Sequence, residues 1–212
     1  MVYLVRHGES VANTEGIYQG QTYDTKLSSL GEKQVDALGE RLRGEPITQL
    51  ITSPLTRTRQ TAEAIAKWHD GLSVDFVPEI IETNHGQWEG QNVRAIKERW
   101  PLEYNIWQTE PFHAEFPGGE TYAETRDRTL RWWHELLPTI HGTTVVVTHD
   151  NIIRAILAEE LGMKPDLLWN VELQPAAITK FTRMTDNSVK VNVVNDTNHL
   201  EGLQANLANH AL

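Results

Sequence analysis

Two kinds of hydrophobic pattern follow one another along the chain. Three short apolar runs, VYLV, QLIT and TTVVVT, are rich in β-branched residues, which is typical of strands buried on both faces of a sheet. Segments with apolar residues at helical spacing lie between and after these runs. Near the end, AAITKFTR and SVKVNVVN alternate apolar and polar residues around MTDN, which predicts an antiparallel pair. The pattern therefore predicts an α/β fold, a three-layer sandwich in which helices flank a mixed, mostly parallel central sheet.

Capping signals bound three of the predicted helices. Ser28 is placed to cap the N-terminus of the first helix, and Gly44 to end it. Ser53 is expected to cap the second helix, with Pro54 at its first helical position. Pro138 ends the third, GGETYAETRDRTLRWWHELLP.

The length of the chain suits one domain. It has 212 residues, 39% of them hydrophobic, and no repeat or Pro/Gly/Ser-rich linker divides it, so we predict a single domain over residues 1–212. No segment approaches the roughly 20 apolar residues of a transmembrane helix, and charge follows too soon after the N-terminus for a secretory signal. We therefore expect a cytoplasmic protein with no membrane partner.

Composition excludes several classes of site. The chain has no cysteine, which rules out disulfides, thiolate nucleophiles and Cys-ligated zinc. Its formal net charge of −10 argues against a nucleic-acid partner, because such proteins carry an excess of Lys and Arg. Any site for an anion must therefore be local. No cofactor is predicted, and the sequence leaves open whether the protein is a monomer or a homodimer.

Arginine and histidine residues follow the predicted parallel strands. Arg6 and His7 end the first strand, Arg57 lies in the first turn of the helix after the second, and His149 follows the third. Ligands of open α/β sheets bind beyond the carboxyl ends of the strands, so these four side chains are expected to converge. Arginine forks and helix N-termini both favour anions, and the predicted ligand is a phosphate.

The adjacency of Arg6 and His7 has a chemical reason. A phosphoryl group held by arginines leaves phosphorus open to in-line attack, and a neutral imidazole nitrogen can make that attack. Neighbouring cations lower the pKa of a histidine, so Arg6 both binds substrate and keeps His7 unprotonated near neutral pH. Gly8 has no side chain, which lets the backbone approach its neighbours closely.

The segment LVRHGESVAN resembles the signature of the histidine phosphatase superfamily, in its phosphoglycerate-mutase-like branch. Further segments are similar to family blocks and stand in the family's order: QGQTYDTKLSSLG, SPLTRTRQTA, IIETNHGQWEG, PGGET and VVVTHDNIIRAIL. The resemblance covers nearly the whole chain. It is more specific than any one short motif, because several blocks agree.

The resemblance implies a role for individual residues. His7 is the residue that would be phosphorylated, and Glu82 matches the family's proton donor, with Glu89 as its competitor. The implied phosphate-binding residues are Arg6, Asn13, Gln19, Gly20, Arg57 and His149. A carboxyl beside a phosphate has a raised pKa, so Glu82 can protonate the departing alkoxide and later accept a proton from water. This chemistry requires no metal.

Two departures from the family pattern concern the site. Asp150 and Asn151 follow the second histidine, where family members usually have glycine, and a carboxylate there either orients Arg6 or His149 or repels an anionic substrate. The loop from Gln19 to Leu27 is about one residue longer than its usual counterpart.

The family places a lid or specificity segment at about residues 83–120. Its aromatic residues either line a recess for an apolar or sugar-like leaving group or form core packing. They are Trp88, Trp100, Tyr104, Trp107, Phe112 and Phe116. His85, His113 and His199 belong to no catalytic motif, and we give them no part in the site.

Four functions compete for this sequence. We favour a metal-independent phosphatase acting on a small phosphorylated metabolite, because residues 91–119 lack the Arg- and Pro-rich stretch with which phosphoglycerate mutases exclude water. Phosphoglycerate-mutase-type transfer is the main alternative. A metal-dependent phosphohydrolase is suggested by the pairs His149-Asp150 and His69-Asp70, but the remaining ligands of a metal shell are missing. A silent binding module is disfavoured because all the catalytic side chains are present.

Overall fold

Six strands form one mixed sheet in the computed structural model, which describes residues 1–210. They are β1 (Val2–Arg6), β2 (Ile47–Thr52), β3 (Val74–Phe76), β4 (Thr143–Thr148), β5 (Ile178–Arg183) and β6 (Val189–Asp196). The order is β3-β2-β4-β1-β5-β6; the first four strands run parallel, and β5 and β6 pair antiparallel. The predicted α/β fold and the antiparallel pair at its end are confirmed. The last two residues of the predicted domain, 211–212, lie outside the described range.

Seven α-helices connect and flank the strands in the described range. They are α1 (Val11–Thr14), α2 (Ser29–Leu42), α3 (Thr56–Ala66), α4 (Val93–Arg99), α5 (Pro101–Thr109), α6 (Tyr122–Leu136) and α7 (Asp150–Leu161). Short 3₁₀ turns lie at Pro78–Ile80, Gly86–Trp88, Pro111–His113, Leu137–Thr139, Pro165–Asn170, Asn198–Leu200 and Leu207–Asn209. Over residues 1–210, none of the helices is both long and apolar enough to cross a bilayer.

Alternate strand residues separate the helices into two layers. In β1, Val2 and Leu4 pack against α6 and α7, in a core that includes Trp133. Tyr3 and Val5 face the opposite side, toward α2 and α3. The two-residue period of a strand thus buries both faces of the sheet, as the continuous apolar runs predict.

Two details differ from the prediction. Strand β3 is an additional parallel edge strand of three residues, VDF, and it contains no continuous apolar run of the kind that marks the central strands. Ser53 does not cap α3, whose N-cap is Leu55 without a side-chain hydrogen bond. Instead Asp24, from a distant loop, accepts a hydrogen bond from the Thr56 N–H (2.8 Å) and so satisfies one free donor of the helix end. By contrast, Ser28 caps α2 as expected.

The carboxyl ends of β1, β4 and β2 lie side by side. Their register pairs Arg6 with Thr148, and Thr52 with Val147. The residue that follows each strand therefore emerges at the same edge of the sheet: His7 after β1, His149 after β4 and Ser53 after β2.

Candidate active site

His7 sits at the centre of this edge with one ring nitrogen available. Its backbone N–H donates to the Thr148 carbonyl (3.0 Å), which continues the parallel ladder by one residue. Its Nδ1 lies 2.7 Å from the Gly8 carbonyl oxygen, an arrangement that requires the proton on Nδ1. Nε2 therefore carries the lone pair, and it accepts a hydrogen bond from Arg57 Nε (3.3 Å).

The surroundings of His7 keep this lone pair free of a proton. Burial, together with the charges of Arg57 and Arg6, holds the pKa of His7 well below its ordinary value. The ring is 3% exposed, so it reaches solvent only through the cavity in front of it. The predicted effect of neighbouring arginines on this histidine agrees in direction, with burial as the larger cause.

Gly8 allows the chain to turn away directly after His7. A Cβ at this position would lie 2.7 Å from a side-chain carbon of Val35 and 3.0 Å from the Gly31 carbonyl oxygen. Its N–H donates to the Thr61 hydroxyl (3.1 Å), which ties the turn to α3. Close approach to α2 is thus the reason for glycine here.

Arg57 reaches the site from the first turn of α3. One Nη donates to Asp24 (3.1 Å) and the other to the Gly20 carbonyl (3.1 Å), which leaves the guanidinium oriented with Nε toward His7. The side chain is 1% exposed. Partners on all three of its nitrogens hold this arginine in one orientation before any substrate arrives.

Arg6 is held by a second set of contacts. Its Nη1 lies 3.3 Å from an Asp150 oxygen and also donates to the Leu173 carbonyl. Asp150 in turn binds Arg154 (Nε to Oδ2, 2.5 Å), and Arg154 donates to the carbonyls of Leu168 and Val171 (2.7 Å each). The carboxylate that replaces the family's usual glycine therefore links Arg6 to a fixed arginine.

His149 lies beside His7. The ring centroids are 5.3 Å apart, and His149 Nε2 is 2.8 Å from the Ser53 hydroxyl. Burial and the charge of Arg57 hold the pKa of His149 well below its ordinary value. No residue in the 1–210 range hydrogen-bonds to His149 Nδ1, nor to Arg6 Nε. Arg6 lines the cavity, so its Nε is placed to bind a phosphate oxygen, whereas His149 lies outside the lining.

Glu82 follows the turn after β3 and lies on the wall of the same cavity. Burial raises the pKa of its carboxyl, although the Thr83 N–H on Oε1 (2.8 Å) and the charge of Arg57 act in the opposite direction. A raised pKa keeps a proton on the carboxyl closer to neutral pH, which suits a general acid.

Glu89, the competing carboxylate, has a different environment. It accepts hydrogen bonds from the backbone N–H groups of Gln21 (3.0 Å), Thr22 (2.7 Å), Tyr23 (3.0 Å) and His85 (3.1 Å). Burial opposes ionisation, but the bonds from this loop lower the pKa of Glu89 overall. An ionised carboxylate that accepts four backbone bonds holds a loop in place and has no proton to donate.

A cavity of about 400 Å³, including its open mouth, joins these residues. Its lining residues come from the strand ends, the 13–19 region, the 82–107 region and the start of α7. They are Arg6, His7, Asn13, Tyr18, Gln19, Arg57, Glu82, His85, Trp107, Asp150 and Asn151.

The structure thus brings most of the predicted site residues together. His149 packs against the ring of His7 and does not line the cavity. Gly20 also lies outside the lining and contributes its carbonyl to Arg57. A Cβ on Gly20 would lie 2.0 Å from Glu89 Oε1, so the loop admits only glycine there. The expected phosphate contacts of Asn13, Gln19 and Gly20 remain predictions.

Most aromatic residues of segment 83–120 form a core. Trp88, Trp107 and Phe116 are buried in one cluster with Tyr18, and Trp88 packs on Tyr18 with ring centroids 5.4 Å apart. Of the six aromatic residues considered for a recess, Trp107 alone lines the described cavity. Core packing is therefore the main role of this cluster, and one tryptophan also forms part of the wall.

Sequence reasoning missed His85, which lines the cavity. Its Nδ1 lies 2.5 Å from the Gln19 carbonyl oxygen, and its ring packs on Phe116 (centroids 4.6 Å apart). Burial lowers the pKa of His85 to about 4. The ring is therefore neutral at pH 7. Its place inside the NHGQWEG block, three residues after Glu82, was the available signal.

The lowered pKa of His85 predicts a pH dependence of stability. Between about pH 6.5 and pH 4 the unfolded chain binds a proton on this residue that the folded protein does not, so the free energy of unfolding falls as pH falls. The full contribution is about 3 kcal/mol for a shift of this size. Urea titrations at several pH values should show this decline, and His85→Gln should make it shallower. An unchanged slope in the variant would contradict the assignment.

The two HD pairs do not build a metal shell. His149 contacts Ser53, and Asp150 contacts two arginines. Across the residues that the structure describes, no three His, Asp or Glu side chains are grouped so as to hold a metal ion.

Comparisons with known proteins place this site in a family. The family model of the histidine phosphatase superfamily (branch 1) matches residues 2–197. The chain is 37% identical to phosphoserine phosphatase 1 of Hydrogenobacter thermophilus over 168 residues, 79% of each protein. It is 29% identical to a 2,3-bisphosphoglycerate-dependent phosphoglycerate mutase of Gloeobacter violaceus over 193 residues, 89% of this chain and 88% of that protein.

Solved structures agree with this placement. The structure of a mycobacterial glucosyl-3-phosphoglycerate phosphatase in complex with VO3 superposes with a TM-score of 0.81 at 26% identity, covering 92% of this chain and 98% of that one. The strand order, the paired histidines and arginines, and the match over residues 2–197 lead to the same conclusion: the chain belongs to the histidine phosphatase superfamily.

Proposed function

We propose that the protein is a metal-independent phosphatase that hydrolyses small phosphomonoesters through a phosphohistidine on His7. The observation that carries this proposal is the state of His7: an unprotonated Nε2, beside two arginines, at the wall of a cavity that also holds Glu82. A nucleophile, its charge-stabilising partners and an acid are the parts that phosphoryl transfer requires.

The reaction has two steps. In the first, His7 Nε2 forms a bond to phosphorus while the bond to the substrate alcohol breaks, and Glu82 donates its proton to the departing oxygen. Arg6, Arg57 and His149 offer N–H groups to the phosphoryl oxygens, whose negative charge they stabilise. In the second step a water gives its proton to Glu82 and its oxygen to phosphorus, and inorganic phosphate leaves His7.

Hydrolysis is favoured over transfer to a second substrate. The segment of residues 83–120 contributes His85 and Trp107 to the cavity wall and carries two short helices, α4 and α5. It lacks the longer Arg- and Pro-rich insert that excludes water in the mutases. Of the two relatives named above, the phosphatase is 37% identical to this chain and the mutase 29%, which supports the same choice. We place this specificity segment within one domain over residues 1–212, in a cytoplasmic enzyme whose partner is a small phosphorylated metabolite.

Trapping the intermediate tests the proposal. The protein is mixed with a ³²P-labelled phosphomonoester and the reaction is stopped rapidly without acid. The protein should then carry label that is stable in base and lost in acid, as expected of a phosphoramidate. Peptide mapping should place the label on His7, and a chelator should leave the rate unchanged. Label on another residue, or activity that a chelator abolishes and a divalent metal restores, would refute the proposed mechanism.

A further inference from the structure

The positive charge that lines the cavity is already matched by carboxylates. Among the described residues, the lysine and arginine side chains that line the cavity are Arg6 and Arg57. Arg57 pairs with Asp24 and Arg6 with Asp150. Both arginines are expected to bind the phosphate itself, which leaves no cation on the wall for a second anionic group.

Asp150 adds a fixed negative charge to the wall. It is 2% exposed, and although burial alone would raise its pKa, Arg154 and Arg6 lower it, so the carboxylate is ionised. Arg154 donates to two backbone carbonyls and lies outside the lining. It therefore forms an ion pair with Asp150 and does not face a bound substrate. A substrate anion next to Asp150 would meet like-charge repulsion in a poorly solvated place. Arg128, which donates to the Glu82 carbonyl (3.0 Å), is paired with Glu120 and lies outside the lining. Arg94 and Lys97 line a separate groove with Glu15.

Asn151 lines the same wall and contains a buried hydrogen-bond acceptor. His85 donates from Nδ1 to the Gln19 carbonyl, so its Nε2 must be an acceptor, and Asn151 Nδ2 lies 3.5 Å from it. This contact assigns the amide orientation: the NH₂ group faces His85, and Oδ1 is directed elsewhere. Asn151 Oδ1 is buried and has no partner in the described part of the protein. A buried acceptor without a partner is costly unless a ligand supplies a donor.

We infer that the enzyme prefers phosphomonoesters whose alcohol part carries a hydrogen-bond donor, a hydroxyl or an ammonium group, and no anionic group besides the phosphate. Asp150 disfavours anions and also positions Arg6, and Asn151 recognises the donor. Neutral His85 and the ring of Trp107 complete a wall that accepts uncharged or cationic groups. This inference rests on the proposed phosphatase activity.

A matched substrate series tests it. Ethyl phosphate, 2-hydroxyethyl phosphate, 2-aminoethyl phosphate and phosphoglycolate share the same two-carbon chain and differ in the terminal group. We expect kcat/KM to be highest for the hydroxyl and amino compounds, lower for ethyl phosphate and lowest for phosphoglycolate. The difference between 2-hydroxyethyl phosphate and phosphoglycolate should be on the order of tenfold to a hundredfold. An equal or higher kcat/KM for phosphoglycolate would overturn the inference.

Two variants assign the preference to residues. Asp150→Asn keeps the shape and removes the charge, so the discrimination against phosphoglycolate should shrink by about tenfold. Asp36→Asn removes a charge from an exposed pair with Lys67 on the α2–α3 side and should leave that ratio unchanged. Asn151→Leu should reduce the preference for 2-hydroxyethyl over ethyl phosphate by up to about tenfold.

These ratios remain interpretable if a variant folds poorly. Both substrates of a pair are assayed with the same preparation of the variant, so the fraction of active protein cancels from the ratio of their kcat/KM values. Ratios unchanged in both Asp150→Asn and Asn151→Leu would overturn the assignment of these residues. If p-nitrophenyl phosphate is hydrolysed through labelled His7 but none of the four alkyl phosphates is, the substrate class is wrong and the phosphatase proposal stands. If nothing is hydrolysed and His7 is not labelled, the proposed function itself fails.

Discussion

His7→Ala is expected to abolish phosphatase activity, with a loss in kcat on the order of 10⁴-fold or more. The reason is that Nε2 is the unprotonated nitrogen that faces both the cavity and Arg57, while His149 Nε2 is engaged with the Ser53 hydroxyl. Steady-state release of phosphate and labelling of the protein should both disappear. The cavity and its arginines remain, so binding of inorganic phosphate should survive in the variant.

Two companion variants separate chemistry from general damage. His134→Ala removes an exposed histidine of α6 and should retain wild-type kinetics. His149→Ala should slow turnover severely but still allow some label to reach His7, because the nucleophile is intact. A His7→Ala protein with activity near wild type, or a labelled His7→Ala protein, would show that another residue attacks phosphorus.

Glu82→Gln is expected to lower kcat on alkyl phosphates by roughly 10²–10⁴-fold. Burial raises the pKa of Glu82, which favours the protonated carboxyl that a departing alkoxide needs, and glutamine cannot supply that proton. An aryl phosphate such as p-nitrophenyl phosphate has a better leaving group and should lose much less. The pH profile of kcat for alkyl phosphates should also lose its basic limb, where deprotonation of Glu82 removes the acid in the wild-type enzyme.

Glu89→Gln serves as the matched control for this prediction. Glu89 accepts four backbone hydrogen bonds from the loop and from His85, so its loss should weaken the position of the loop. We expect kcat/KM to fall by a similar factor for alkyl and aryl phosphates. If the loss of kcat/KM depended on the leaving group in Glu89→Gln and not in Glu82→Gln, Glu89 would be the general acid and Glu82 the residue that holds the loop.

The central strands could be predicted because their burial is uniform. Every residue of β1 and β4 is buried, so the apolar runs mark them in the sequence. Strand β3 could not be found in the same way, since Val74 is only partly buried and Asp75 and Phe76 are exposed at the sheet edge. Its existence nevertheless matters, because the turn that follows it carries Glu82 to the site.

The convergence of the proposed catalytic residues was predictable from strand ends and motifs, while the supporting contacts were not. Asp24 bonds to the end of α3 and to Arg57 from a loop 33 residues earlier in the chain than that arginine. Ser53, expected as a cap, contacts His149 instead. The only signal for His85 was its place in the NHGQWEG block, because its position in the site depends on packing and on the Gln19 carbonyl. Such pairings depend on which loops meet in space, and spacing along the chain does not encode them.

The hydrogen bonds of the 21–23 loop to Glu89 have a thermodynamic consequence for substrate capture. A loop that becomes ordered only when a ligand binds loses conformational entropy at each binding event, and this loss weakens binding. Here one carboxylate immobilises the loop when the chain folds, so that the entropy is lost once. Association with a phosphorylated ligand should accordingly proceed as a nearly rigid-body encounter, with a rate set by diffusion and orientation.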